Sequence, residues 1–336
     1  MTIDKYHNTH KIIAENLVRG YQGPTPFALY LKTYFAANKK HGSKDRKAIS
    51  ENCYAYFRNL STAFPLQEYI SNAIDIPAFI RSHLEQPLLF IRARPGKKEI
   101  VQASLTKAAL LFEPIGTMAF ALPNSSAVQK VLQLNKEAVI QDINSQAFAS
   151  LLELIPTHEQ PMVVWDACAA SGGKSILIKD TINAVQLHIS DRRDSILINA
   201  AKRLKEAGIQ PASLQVVDIT KSFIIKKQFD LIFADLPCSG SGTWGRTPEN
   251  LQSFKQDQLV KMTNLQETIL LHLIPAIKLY GYLLVATCSV YKNENEDQVY
   301  KLLESGKFKL VEQKYFIGYD KKADTLFGAL LQKVQN

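Results

Sequence analysis

The 336-residue, 37.7 kDa chain is longer than one hydrophobic core comfortably fills, so two or three domains are expected. Hydrophobic residues at 46% and charged residues at 21% exclude a disordered chain. The 40 Lys and Arg against 31 Asp and Glu leave a net charge of +9, which admits a polyanionic partner, nucleic acid or an acidic membrane surface, without naming one.

Met1 to Asn8 carries no apolar run of the kind a secretion signal needs. Residues 1–84 read as helical: His10 to Tyr21 carries Ile12, Ile13, Leu17 and Val18 at helical spacing, and Ala48 to Phe57 leads into another such run. Between them, Asn38 to Lys47 is dense in positive charge, and the first 50 residues hold nine Lys and Arg against three Asp and Glu. Lys39, Lys40, Arg46 and Lys47 therefore read either as a solvated loop or as a phosphate-contacting patch. Residues 85–150 change character, with strand-like Pro87 to Arg92, helical Ile100 to Leu111 and strand-like Ala119 to Leu122, as in a small α+β subdomain.

From about residue 161 the pattern alternates. Val163–Cys168, Val185–Ser190, Leu214–Val217, Leu231–Ala234 and Tyr282–Ala286 are short apolar strands, separated by helical stretches such as Ser195–Ala207 and Gln258–Leu279. Buried apolar strands alternating with helices predict a parallel, doubly wound sheet, whose ligands sit beyond the carboxyl ends of the strands. The longest uncharged apolar stretch, Leu279 to Val290, is shorter than the roughly 18–20 residues that span a bilayer. A cytoplasmic protein with reduced thiols and no membrane association is expected.

The strand ends carry the chemistry. The first runs into Asp166-Ala-Cys168-Ala169-Ala170-Ser171-Gly172-Gly173-Lys174, where two glycines permit a tight turn and close backbone approach to a ligand. It is neither the dinucleotide fingerprint nor the phosphate loop. Asp191 ends the second strand about twenty residues later, where an acid commonly accepts hydrogen bonds from ribose hydroxyls. Asp218 and Asp235 end the third and fourth strands. Each alone reads as a helix cap or loop carboxylate; three in succession beside a glycine turn point to a nucleoside-bearing cofactor. Of the four cysteines, Cys53, Cys168, Cys238 and Cys288, none forms a CxxC pair or adjoins a histidine cluster, so no disulfide framework and no metal are expected. Cys238 and Cys288 nevertheless follow neighbouring strands on the ligand edge, where a thiolate would supply a strong nucleophile.

Asp166 to Lys174, Asp235-Leu-Pro-Cys238-Ser-Gly-Ser-Gly242 and Ala286-Thr-Cys288-Ser-Val290 resemble three motifs of the RNA (cytosine-5) methyltransferases, the RsmB/NSUN family. Arg246-Thr-Pro-Glu249, Asn295-Glu296 and the lead-in Gln141 to Gln146 follow the same pattern in order. Ser171 stands where the family usually has proline, and Leu236 where alanine is common. The resemblance implies a Rossmann-like class I methyltransferase sheet over 151–336, the α+β subdomain over 85–150 and a NusB-like, RNA-binding helical region over 1–84. It implies S-adenosyl-L-methionine as cofactor, with Cys168 through Lys174 around its methionine part, Asp191 on the ribose, Asp218 on the adenine edge and Asp235 nearby. It also implies Cys288 as nucleophile, Cys238 assisting release, Asp235 on the ring nitrogen and Lys174 favouring the charged forms around it. RNA is the implied partner, through Lys39, Lys40, Arg46, Lys47 and Arg246, with ribosomal RNA first and transfer RNA open. A competing class is a catalytically silent RNA-binding or ribosome-assembly factor on the same fold, against which the two intact cysteines argue. Amino-group methylation usually carries an Asn/Asp-Pro-Pro-aromatic motif absent here, and the DNA cytosine-5 enzymes lack the Thr-Cys partner.

Overall fold

A computed structural model describes residues 7–23, 25–60, 64–156, 159–221 and 227–336. By contacts the chain groups into two units, one of residues 1–68, 75–86 and 244–256, the other of 69–74, 87–243 and 257–336.

The first unit is helical. It contains α1 (His7–Gly20), α2 (Phe27–Ala37), α3 (Ser43–Leu60) and α4 (Ile76–Ser82). Ile49, Cys53 and Phe57 recur every fourth residue on α3, so one stripe faces Leu17, Val18, Phe27 and Leu31 of the helices before it. The Phe27 and Phe57 rings meet edge to face with centroids 4.8 Å apart. Residues 244–256 join this unit from far along the chain: Trp244 is fully buried, its ring 5.1 Å from Phe64, and the Arg58 guanidinium donates to the Gly245 carbonyl at 2.9 Å. The basic stretch expected as one loop is a loop only up to Gly42. Asp45 accepts the Gly42 N–H at 2.9 Å and places an acid in the first turn of α3, so Ser43 to Lys47 are helical.

The second unit holds two sheets. The smaller is antiparallel in the order β2-β3-β1-β4, from β1 (Leu89–Ala93), β2 (Glu113–Ile115), β3 (Ala119–Leu122) and β4 (Ala138–Ile140). α5 (Lys98–Lys107) buries Val101 and Leu105 against Ile91 and Phe120 of this sheet. The larger has the order β10-β11-β9-β8-β5-β6-β7, with β5 (Met162–Asp166), β6 (Val185–Asp191), β7 (Ser213–Val216), β8 (Phe229–Asp235), β9 (Ile277–Thr287), β10 (Phe308–Phe316) and β11 (Leu326–Lys333). Along β5, β8 and β9 alternate residues face two separate cores. Val164, Leu231, Phe233 and Leu284 meet α8 (Gly173–Thr181), α9 (Asp194–Glu206) and the short α6 (Ile143–Gln146) to α7 (Ala149–Leu152) segment. Trp165, Ile232, Leu283 and Val285 meet α11 (Gln256–Leu273) and α12 (Glu296–Glu304), while the brief α10 (Asn250–Ser253) belongs to the helical unit. Burial on both faces is why these strands read as continuous apolar runs.

Two expectations need correction. The sheet is parallel only from β9 to β7; β11 pairs antiparallel with both β9 and β10, making the sheet mixed. The helix expected to run to Leu279 stops at Leu273, because Pro275 cannot continue it and Ile277 already begins β9.

Gly242 is required by close approach. The Gly242 N–H donates to the Cys288 carbonyl, and its own carbonyl accepts from the Thr325 N–H, each at 2.9 Å. A Cβ at this position would lie 1.9 Å from the Thr325 oxygen. Gly242→Ala should therefore destabilise the sheet-bearing unit by about 1–3 kcal/mol, the usual cost of overpacking, read as a lower urea midpoint at unchanged slope.

Candidate active site

The strand order reverses between β5 and β8, and a cavity of about 290 Å³ opens at the carboxyl ends of the strands there. Cys168 and Ala170 reach it from the loop after β5, Asp191 from the end of β6, and Asp218 from beyond β7. Asp235 and Cys238 reach it from β8, and Cys288 from β9. Its wall is completed by residues not anticipated, among them Arg193, Ile219, Leu265 and Ile269. Leu265 and Ile269 lie one turn apart on α11, a spacing that reads equally as ordinary core.

The glycine loop is shaped by its backbone. Ala170 and Gly172 have φ of 46° and 78°, and Gly172 caps the start of α8 in a conformation that glycine adopts without penalty. Ala169 turns into the core, and Ser171, Gly172, Gly173 and Lys174 are not on the cavity wall. Ser171 turns out to be anchored: Arg203 Nη1 donates to its carbonyl at 3.1 Å and to its Oγ at 2.8 Å, while Arg203 Nε reaches Asn135 Oδ1 at 3.1 Å. The guanidinium thus holds a turn that a proline ring would otherwise stiffen.

Asp191 accepts the Ala170 N–H at 3.0 Å, the Arg193 N–H at 3.0 Å and the Arg193 guanidinium, whose side chain is 51% exposed. Burial alone would raise this carboxyl, but these donors hold it below its ordinary value. Asp218 is likewise held low, chiefly by the Thr220 hydroxyl at 2.6 Å.

The thiols stand beside an ion pair. Cys238 Sγ and Cys288 Sγ are 3.3 Å apart, and Lys174 Nζ lies 2.6 Å from Asp235 Oδ2 and 5.6 Å from the Phe148 ring centre. Burial works against the Lys174 charge, yet Asp235 outweighs it, with a further contribution from Cys288, and the ammonium is held above its ordinary value. The Cys238 thiol is raised by its hydrogen bond to Cys288 and then by burial. Cys168 is raised by burial as well.

Residues after the Thr-Cys motif hold this loop. Thr287 Oγ1 donates to Asn295 Oδ1 at 2.5 Å and Asn295 Nδ2 donates to the Ser289 carbonyl at 2.8 Å, so Asn295 brackets Cys288 on both sides. Tyr315 donates to Glu296 at 2.8 Å, and Ser71 also donates to Glu296. The basic residues lie in the helical unit. Lys39, Lys40 and Lys47 are exposed, Arg46 donates to the His41 carbonyl at 2.8 Å over the Phe35 ring, and Arg246 is half-buried. Among the described residues no cluster of three or more His, Cys, Asp or Glu could hold a metal ion, and no helix is long and apolar enough to cross a membrane.

A parallel-rich sheet with helices on both faces, a glycine turn after its first strand and an acid at the end of the next defines the fold of the class I methyltransferases. Solved structures of this fold include a methyltransferase homologue from Pyrococcus horikoshii, 18% identical with a TM-score of 0.65 over 76% of this chain and 90% of that one. NSun6 from the same organism is 15% identical with a TM-score of 0.67, over 84% and 98%. The family model for 16S rRNA methyltransferase RsmB/F matches residues 151–326, and the chain belongs to this family. The ribosomal RNA small subunit methyltransferase B of Shewanella oneidensis is 29% identical over 267 residues, covering 76% of this chain and 59% of that protein. Its counterpart in Pasteurella multocida is 32% identical over 198 residues, covering 55% and 42%. The chain spans about half the length of the curated relatives it matches.

Class and family imply S-adenosyl-L-methionine as the cofactor, and the residues fit it. The cavity combines the loop after β5 at Cys168 and Ala170, a strand-end carboxylate at Asp191 and an apolar wall from Ile219, Leu265 and Ile269.

Asp166, at the base of this loop, is fully buried; Ser175 donates to its Oδ2 at 2.5 Å, and its Oδ1 has no hydrogen-bond partner. Burial pushes its carboxyl from 3.8 up to about 7. The folded state therefore keeps a proton that the unfolded chain has lost. Its contribution to stability is full below pH 3.8 and is lost as pH rises through about 7. Urea titrations across this window should show the wild type losing stability relative to Asp166→Asn, which cannot ionise; parallel curves would contradict the shift.

Proposed function

We propose that this chain methylates carbon 5 of a cytosine in RNA, with ribosomal RNA as substrate. The observation that carries the reading is the pair of free thiols 3.3 Å apart at neighbouring strand ends, beside the Lys174–Asp235 pair. Carbon 5 of cytosine is a poor nucleophile until a group adds to carbon 6, and a thiolate is suited to that addition. Cys288 forms the bond to carbon 6, and the electron pair of the 5,6 double bond moves into the ring. Lys174 keeps its charge beside Asp235 and the attacking sulfur, and Asp235, taking a proton from solvent, hydrogen-bonds the ring nitrogen. S-adenosyl-L-methionine, when bound, supplies the methyl electrophile that carbon 5 attacks.

Release is the part played by Cys238. Its thiol is held protonated chiefly by Cys288, and once Cys288 is bonded to the base that competition ends. The Cys238 thiol loses its proton to solvent and as the thiolate takes the carbon 5 proton, the C–H electron pair restores the double bond, and the bond from carbon 6 to Cys288 breaks to return that thiolate.

Cys168 and Ala170 would meet the methionine part of the cofactor, with Ser171 to Lys174 forming the turn behind them, Asp218 would meet the adenine edge, and on Asp191 ribose hydroxyls would replace the half-exposed Arg193 guanidinium. Lys39, Lys40, Arg46, Lys47 and Arg246 would contact phosphates. Such contacts offset the few kcal/mol, roughly, that unstacking a base from a stem costs. The names of the relatives favour ribosomal RNA over transfer RNA.

The two cysteines should separate on mutation. Cys288→Ala should form no covalent adduct and no 5-methylcytosine. Cys238→Ala should accumulate a methylated protein–RNA adduct, seen on a denaturing gel as a slow band that RNase removes. The band with Cys288→Ala alone would exchange the roles. No band with either variant, together with an inactive wild type, would leave an RNA-binding factor.

A further inference from the structure

Glu294 takes no part in the chemistry proposed above, yet its carboxylate is fully buried. Oε1 accepts the Ser239 N–H at 2.7 Å, Oε2 accepts the Ser239 hydroxyl at 2.6 Å, and the carboxylate also accepts from the Ser289 hydroxyl. Ser239 directly follows Cys238, and Ser289 directly follows Cys288. One side chain therefore ties together the residues next to both thiols. Ser239 Oγ and Ser289 Oγ themselves lie 3.3 Å apart, matching the separation of the sulfurs beside them.

The charge of this residue has a physical role here. A buried carboxylate carries a desolvation cost that an apolar side chain would avoid, so packing alone does not explain it. All three groups aimed at it are donors, and a carboxylate offers acceptors on both oxygens with no hydrogen to clash. Burial raises the Glu294 carboxyl, and the bonds from Ser239 and Ser289 act against that rise.

We infer that Glu294 is a positioning residue that sets the separation of the Cys238 and Cys288 thiols by holding the residue after each one. The inference rests on the two-thiol reaction proposed above, and its test separates the two.

Phenylarsine oxide supplies a measure of thiol separation that needs no RNA. Two thiols displace its oxygen as water and become bridged by the phenylarsenic group, which intact-mass spectrometry reads directly. A Cys238→Ala, Cys288→Ala double variant serves as blank for Cys53 and Cys168. Wild type should be bridged. Glu294→Ala should be bridged about tenfold or more weakly, the scale of a lost charged hydrogen bond. Its kcat should fall by about a hundredfold, the scale of a displacement near 1 Å, with KM for RNA and affinity for S-adenosyl-L-methionine unchanged. Glu294→Gln should restore most of both, since its oxygen still accepts from Ser239 N–H and its amide can donate to serine hydroxyls. Should Glu294→Ala fail to fold, Ser289→Ala removes only the bond on the Cys288 side and should weaken bridging in the same direction. Bridging and kcat at wild-type levels in the folded variants would overturn the inference. A wild type that is bridged with dependence on Glu294 but does not methylate RNA would leave the positioning role standing and remove the reaction.

Discussion

The site depends on the parallel pairing of β8 with β9. Their register sets Ala234 against Val285 and Asp235 against Ala286, so the two chains leave the sheet side by side at the same edge. Cys238 comes three residues after Asp235 and Cys288 two after Ala286, which is how residues 50 apart in sequence place their sulfurs 3.3 Å apart. The seam continues beyond the strands, where the Gly242 N–H donates to the Cys288 carbonyl and the Val290 N–H to Ser241 Oγ, both at 2.9 Å. Backbone pairing thus fixes which loops meet, and side chains at their base refine the distance.

Around the thiols, charge is placed by compensation. Lys174 stays charged against burial because Asp235 lies within hydrogen-bond reach, and Asp191 stays ionised because Ala170 and Arg193 donate to it. Asp166 lacks such donors on one oxygen and is pushed the other way. Neighbouring carboxylates on one sheet edge therefore hold different protonation tendencies, set by how deeply each is buried and by the donors each receives.

Much of this was legible in the sequence, and the reason is burial. β5, β6, β8 and β9 are covered on both faces and read as apolar runs; their end residues Asp191, Asp235, Cys238 and Cys288 fell on one edge as the sheet rule requires. β10 was not legible, because Lys309, Leu310 and Val311 are all exposed and a bulge between Leu310 and Glu312 breaks its period of two. Helix α11 ran long on paper because apolar residues continue past Pro275 into β9. Arg203 and Glu294 carried no signal of their own: each acts on a residue far away in sequence, Ser171 in one case and Ser239 in the other. The grouping of residues 244–256 with the helical unit was invisible for the same reason, since only a tertiary partner such as Phe64 identifies what Trp244 packs against.

In the proposed reaction the Cys288 sulfur attacks the base. It is tested most directly with RNA containing 5-fluorocytosine, whose fluorine leaves no proton at carbon 5 to remove, so a methylated adduct cannot be released. Incubation with S-adenosyl-L-methionine, followed by RNase and trypsin digestion and mass spectrometry, locates the nucleotide. Lys278 and Lys292 bracket Cys288, whereas Lys227 and Arg246 bracket Cys238, so the two peptides are distinct. A methylated 5-fluorocytosine nucleotide is expected on the peptide holding Cys288. Its appearance on the Cys238 peptide, or methylation of ordinary RNA with no adduct on the fluorinated form, would contradict that attack.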